Sequence, residues 1–291
     1  MNFTLENEQF TATIKSLGAE LVSYQSKETG IEYIWNGNPE YWARHTPVLF
    51  PHVGKLKDDT LIFQGKSYSS TQHGFARDKE FTLVEQTDET IVLSLRFDEE
   101  TLARYPFQFE LLITYTLSAK GIETKWTVKN LDAQEKMYFG IGGHPAFNVP
   151  LTEGLTFEDY YFELSPKGMR TRIPFVVPYL DVAGKFDEEV EKIAIFHEQF
   201  HNDALIYETK GHTEITIKSD KSPHALTLSY DNIDYVGLWS PYPKESPFVC
   251  IEPWCSFADT TEDSGIFDEK SSVQVLQPLG VFETSYWISA K

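Results

Sequence analysis

FQFELLITYTL, residues 107–117, decides the fold. Phe107, Phe109, Leu111, Ile113, Tyr115 and Leu117 fall on one side of a period-two pattern, and the residues between them are mostly polar. A side-chain repeat of two belongs to a strand buried on one face. After the turn SAKG, 118–121, the pattern resumes in IETKWTVKN, 122–130, with Ile122, Thr124, Trp126 and Val128 inward and Glu123, Lys125, Thr127 and Lys129 outward. The spacing predicts one long hairpin over 107–129.

Shorter runs of the same kind recur on both sides of it: FTATIKS (10–16), ELVSYQS (20–26), TLIFQGKSY (60–68), FTLVEQ (81–86), TIVLSLRF (90–97), ALIYE (204–208), TEITIKS (213–219), ALTLSY (225–230) and FVCIEP (248–253). Helical pattern is confined to NPEYWARH (38–45), DEETLARY (98–105) and EEVEKIAIFHEQF (188–200). The strand-helix alternation of a Rossmann or TIM protein is therefore missing. The expectation is an all-β chain, a large antiparallel β-sandwich built as a single domain over 1–291. The stretch 164–189, with three prolines and two glycines, reads as a long surface excursion.

Composition narrows the function. At 291 residues, 41% apolar and 14% aromatic, the chain can fill a large core, which argues against disorder. Its net charge of −19, from 44 acidic and 25 basic residues, opposes a phosphate backbone or an anionic membrane, so neither nucleic acid nor membrane is expected as a partner. MNFTLENEQF has neither a basic n-region nor an apolar h-region, and no run of 18 apolar residues occurs, so a cytoplasmic protein is expected. The two cysteines, Cys250 and Cys255, make no disulfide framework and no paired CxxC zinc signature; an offset of five on a strand places them on opposite faces as reduced packing thiols.

HEQFH, 197–201, has the form His-Glu-x-x-His. On a helix, His197 and His201 would share a face and hold one zinc, with Glu198 as general base. The third ligand is missing: the longer metzincin pattern needs Gly at 204 and His at 207, where the chain has Ala204 and Tyr207. The alternative to a zinc hydrolase is a short helix whose Val190, Ile193, Ala194, Phe196 and Phe200 pack on a sheet. Asp203, just beyond it, stands where helix gives way to strand and can aim a carboxylate into a cleft.

Two other stretches carry more chemistry. GIGGHPAFN, 140–148, has three glycines in four positions before His144 and Pro145; the glycines allow a sharp bend, and the proline biases His144 to extended backbone. FVCIEPW, 248–254, is an apolar strand with one carboxylate, Glu252, again before a proline; that carboxylate either faces water or sits in a pocket with a raised pKa. STQHGFARDKEF, 70–81, adds Gln72, His73 and Arg77 around a glycine turn, the arginine being either a ligand hook or a surface ion pair. Trp239 and Trp254 are either core residues or the aromatic platform on which a sugar's C–H face packs.

HGFAR, GGHPAFN and the late EPW, in this order, resemble the aldose 1-epimerase (galactose mutarotase) family, particularly its LacX-like branch, over roughly residues 5–288. The resemblance implies a β-supersandwich and an enzyme that interconverts the α and β anomers of a sugar without metal or organic cofactor. It implies His144 as acid and Glu252 as base, with Gln72, His73, Arg77 and Asp203 binding substrate and Arg44, before PVLFP, as a further position. Where galactose-type members have a His-Gly-Gly loop and a Glu-Pro-Gln ending, this chain has QHGFAR and EPW, closer to hexose-6-phosphate epimerases. An unphosphorylated hexose is expected first, its 6-phosphate second, and a non-catalytic carbohydrate-binding protein is the reading from another class.

Overall fold

In the computed structural model, which describes residues 1–291, strands Phe109–Ser118 and Gly121–Asn130 pair antiparallel along their whole length, from Ser118 opposite Gly121 to Phe109 opposite Asn130. The inward set is the expected one: Leu111, Ile113, Trp126 and Val128 are at most 1% exposed. Truncating a buried tryptophan such as Trp126 to alanine removes about 3–5 kcal/mol of packing.

This hairpin is one arm of a 15-stranded sheet. In one direction the sheet continues through Thr90–Arg96 to Thr82–Gln86. In the other it runs through Val281–Ala290, Leu226–Tyr230, Thr213–Lys218, Tyr161–Ile173, Leu205–Glu208 and Tyr235–Trp239, and ends with Phe248–Trp254, Gly142–Gly143 and Val48–Leu49. A separate three-stranded sheet, Asn2–Glu6, Phe10–Lys15 and Glu20–Ser26, packs against it, because Leu5, Ile14 and Tyr24 share one core with Leu111, Trp126 and Ile288. The all-β antiparallel expectation holds. No helix is long and apolar enough to cross a membrane.

Three local expectations need correction. Residues 186–194 are strand, not helix: Phe186–Ala194 pairs with Tyr161–Ile173. The i, i+3 spacing of Val190 and Ile193 imitated a helix because the pairing shifts register between Glu163 and Gly168; both residues reach the core, where an uninterrupted strand would send them to opposite faces. The stretch 164–189 does lie at the surface, with Met169 and Val177 exposed, but as paired structure: 164–173 belongs to the strand Tyr161–Ile173, and Phe175–Val176 pairs with Tyr179–Leu180. NPEYWARH makes only a turn around Asn38, whose carbonyl accepts from the Tyr41 and Trp42 amides. The Glu20 carboxylate then takes the His45 and Thr46 amides at 2.6 and 3.0 Å and draws the chain out of any helix. DEETLARY does form a short helix, Glu99–Leu102, closed by a capping box between Asp98 and Thr101.

Candidate active site

The carboxylate and the imidazole are brought together by strand register. Phe248–Trp254 pairs with two short strands at once, Gly142 lying opposite Trp254 and Ala146 opposite Cys250. Both pairings lie in one continuous antiparallel register, so His144 stands opposite Glu252. Pro145 and Pro253 follow the two residues and supply no amide to the ladder, which leaves the side chains in charge of this position. His144 Nε2 lies 3.3 Å from a Glu252 carboxylate oxygen, and both side chains are nearly removed from solvent.

The glycines act differently from the sequence expectation. None of Gly140, Gly142 and Gly143 has a positive φ, so they do not make a sharp bend. They permit close approach instead: a Cβ on Gly142 would meet the Trp254 ring at 2.6 Å, and one on Gly237, in the strand on the other side, would meet it at 2.7 Å. Trp254 is seated between two bare backbones, and its position beside Glu252 follows from them.

All nine expected residues line one cavity of about 520 Å³: Arg44, Gln72, His73, Arg77, His144, Asp203, Trp239, Glu252 and Trp254. Such a volume suits a small molecule with a few convergent polar groups. Two of these residues occupy left-handed backbone that non-glycine residues seldom adopt, His73 at φ 67° and Asp203 at φ 72°. His73 is held there by a reciprocal pair of bonds: the Gly54 amide donates to His73 Nδ1 at 3.0 Å, and the His73 amide donates to the Gly54 carbonyl at 2.8 Å. As an acceptor, Nδ1 leaves the proton of the neutral ring on Nε2. Asp203 lies between the 3₁₀ turn His197–Phe200 and the strand Leu205–Glu208, as expected from the sequence.

Burial dominates the electrostatics. It pushes the Glu252 carboxyl well above the usual range, with the nearby Asp203 charge adding to the effect. It pushes His144 well below the ordinary imidazole value, seconded by the Arg77 charge, and it lowers His73 in the same way, with His144 and Arg77 next. Asp203 is raised by its own burial. The Arg77 guanidinium, lowered to about 10 by burial and by Arg44, remains charged at neutral pH and donates to the Gln72 carbonyl at 2.6 Å. Arg44 binds Asp78 at 2.9 Å.

Several lining residues escaped the sequence reading. Trp42 stacks on the His144 ring, centroids 4.7 Å apart and planes at 28°, while Trp239 and His73 meet that ring edge-on at 5.4 and 5.6 Å. The signal was present as a tryptophan two residues before Arg44, in a segment expected to be helical. Lys55 and the hairpin residues Phe175, Val177 and Pro178 also line the cavity. Their segments carry no motif.

HEQFH lies apart from this cavity and is not built for zinc. Its residues form a single 3₁₀ turn, in which positions i and i+4 point about 120° apart. The His197 ring is stacked on Phe157 at 4.0 Å with planes 8° apart, and His201 is exposed with Nδ1 at 3.0 Å from its own turn's Glu198 carbonyl. The cluster of potential metal-ligating side chains that does form is His144, Cys250 and Glu252.

Comparison with known proteins agrees with the geometry. The profile described as aldose 1-epimerase matches residues 1–265. The chromosomally encoded protein LacX of Lactococcus lactis subsp. lactis is 36% identical over 299 aligned positions, covering 99% of either chain. Among solved structures, a galactose mutarotase related enzyme from Lactobacillus acidophilus superposes with a TM-score of 0.98 at 38% identity, over 100% of this chain and 97% of that one. A galactose mutarotase-like protein from Lactobacillus casei gives 0.91 at 29% identity, over the whole of both chains. This chain belongs to the aldose 1-epimerase family.

Proposed function

We propose that the chain is a cytoplasmic, single-domain aldose 1-epimerase that interconverts the anomers of a free aldohexose without a metal or organic cofactor, with Glu252 as base and His144 as acid. The observation carrying this reading is the 3.3 Å contact between the two groups inside the cavity. The reaction removes the proton of the C1 hydroxyl and protonates the ring oxygen, and both oxygens are bonded to C1. An acid and a base side by side on one edge of the sugar therefore suffice. The pair holds one proton; with it on His144 and Glu252 ionised, Glu252 takes the hydroxyl proton while His144 gives its own to the ring oxygen, and the C1–O5 bond opens to the aldehyde. Rotation about C1–C2 and the reverse transfers close the ring on the other face. The pair's total proton count is unchanged over the cycle.

Arg77, His73, Gln72 and Asp203 bind the sugar hydroxyls, and Trp239 and Trp254 pack its C–H face. Both cysteines are free and buried, which fits the reducing cytoplasm. Polarimetry of a freshly dissolved pure anomer tests the proposal: mutarotation above the spontaneous rate is expected, and a protein that only binds sugar leaves that rate unchanged.

A 6-phosphate as substrate is the second reading, favoured by three cations, Arg44, Lys55 and Arg77, around one cavity. The free sugar ranks first because those cations already have counter-ions: Asp78 lies 2.9 Å from Arg44 and 4.0 Å from Arg77, and Asp59 lies 3.3 Å from Lys55. Rates for glucose and galactose against their 6-phosphates, on wild type and Arg77→Ala, separate the two. A kcat/KM at least tenfold higher for a phosphate, lost selectively in Arg77→Ala, makes the phosphate the substrate (about 1.4 kcal/mol of discrimination).

A further inference from the structure

Beside the acid-base pair lies a third group that anomer exchange does not use. Cys250 is two residues before Glu252 on the same strand, so both side chains point to one face of it. The donor atoms of His144, Cys250 and Glu252 all lie within 4.8 Å of one another, and all three residues are buried. Metal bonds of about 2.0–2.3 Å to N, O and S place neighbouring tetrahedral ligands about 3.3–3.8 Å apart. The His144–Glu252 distance of 3.3 Å already meets this spacing. The thiol, within 4.8 Å of both partners, completes it with at most about 1.5 Å of movement.

We propose that His144, Cys250 and Glu252 form a binding site for a thiophilic divalent cation such as Zn²⁺ or Cd²⁺, with its fourth position open to the sugar cavity. Charge balance favours it. One thiolate and one carboxylate neutralise a dication, so the buried site ends with no net charge, and a buried site tolerates little else. On binding, the metal–sulfur bond replaces the Cys250 S–H bond, and that proton, with any carried by Glu252, leaves to solvent. A soft sulfur ligand selects Zn²⁺ or Cd²⁺ over Mg²⁺ and Ca²⁺. The bound ion occupies both groups of the acid-base pair and so inhibits in competition with sugar. Only this inhibition rests on the function proposed above; the site itself does not.

Two readouts keep the site and the reaction apart. The first is titration of the metal-free protein with Cd²⁺, followed by the ultraviolet thiolate-to-cadmium charge-transfer band. One equivalent is expected to give the full band in wild type and in Cys255→Ser, and the band is expected to vanish in Cys250→Ser. The second is mutarotation in Zn²⁺: Cys250→Ser is expected to keep wild-type turnover and to need at least tenfold more Zn²⁺ for half inhibition. Absence of the band in wild type overturns the site, as does a band that survives in Cys250→Ser but is lost in Cys255→Ser. Equal Zn²⁺ sensitivity of wild type and Cys250→Ser overturns the inhibition.

Discussion

Two histidine-bearing stretches differ in the backbone that carries them. HEQFH spells a zinc motif, yet its single 3₁₀ turn parts the two histidines, and His197 spends its ring on Phe157. GGHPAF spells nothing so specific, yet strand register sets His144 opposite Glu252, more than a hundred residues away. The chemistry of a spaced pair of residues holds only on the element that turns the spacing into a distance. In this chain the distance comes from a ladder between remote strands.

The contrast breaks first at the pair itself. Glu252→Gln and His144→Asn are each expected to lower kcat/KM by about 10² to 10⁴. Because the two residues act as a unit, the double variant is expected to lose little more than either single one; multiplicative losses would mean independent roles. Next is Trp42, which lines the cavity and stacks on His144. Trp42→Leu is expected to lower kcat/KM by roughly fivefold, with Trp42→Phe recovering most of it, in line with about 1 kcal/mol for an aromatic stack. An unaffected Trp42→Leu would reduce that contact to packing.

The pH profile sharpens the contrast further. Exchange needs one proton on the pair, held by His144 while Glu252 is ionised; burial favours the tautomer with that proton on Glu252, so the working pair is present below the raised Glu252 value and is lost as pH rises through it and the proton leaves. Asp203→Asn removes a neighbouring negative charge and so lowers the Glu252 value, and this alkaline limb is expected to move to lower pH. A limb that stays in place would show that Asp203 does not act on Glu252 electrostatically. The smallest effects belong to HEQFH. His197→Ala is expected to cost about 1 kcal/mol of stability, measured by denaturant unfolding, with turnover within about twofold of wild type. Chelation is expected not to lower activity.

The 107–129 hairpin was legible because one face is buried without interruption, so a period of two is written directly in the side chains. The strand 186–194 was not, because a register shift in its partner gave it a helix-like spacing. His144, Glu252 and the HGFAR residues were legible from pre-proline settings and from family resemblance. Trp42, Lys55 and the 175–178 hairpin were not, since they reach the cavity through loops whose course depends on distant anchors such as Glu20. The glycines before His144 make no sharp bend, because what their missing side chains permit is close approach to Trp254 and its neighbours.

The central claim is that the His144–Glu252 pair exchanges anomers and is more than a sugar-binding contact. Its most direct test measures exchange and binding on one sample of Glu252→Gln, exchange by magnetisation transfer between the α and β anomeric protons and binding by calorimetric titration with the same sugar. Sugar affinity within a few-fold of wild type, with exchange reduced to the spontaneous rate, is the predicted result. Exchange at the wild-type rate in a variant that still binds sugar would contradict it.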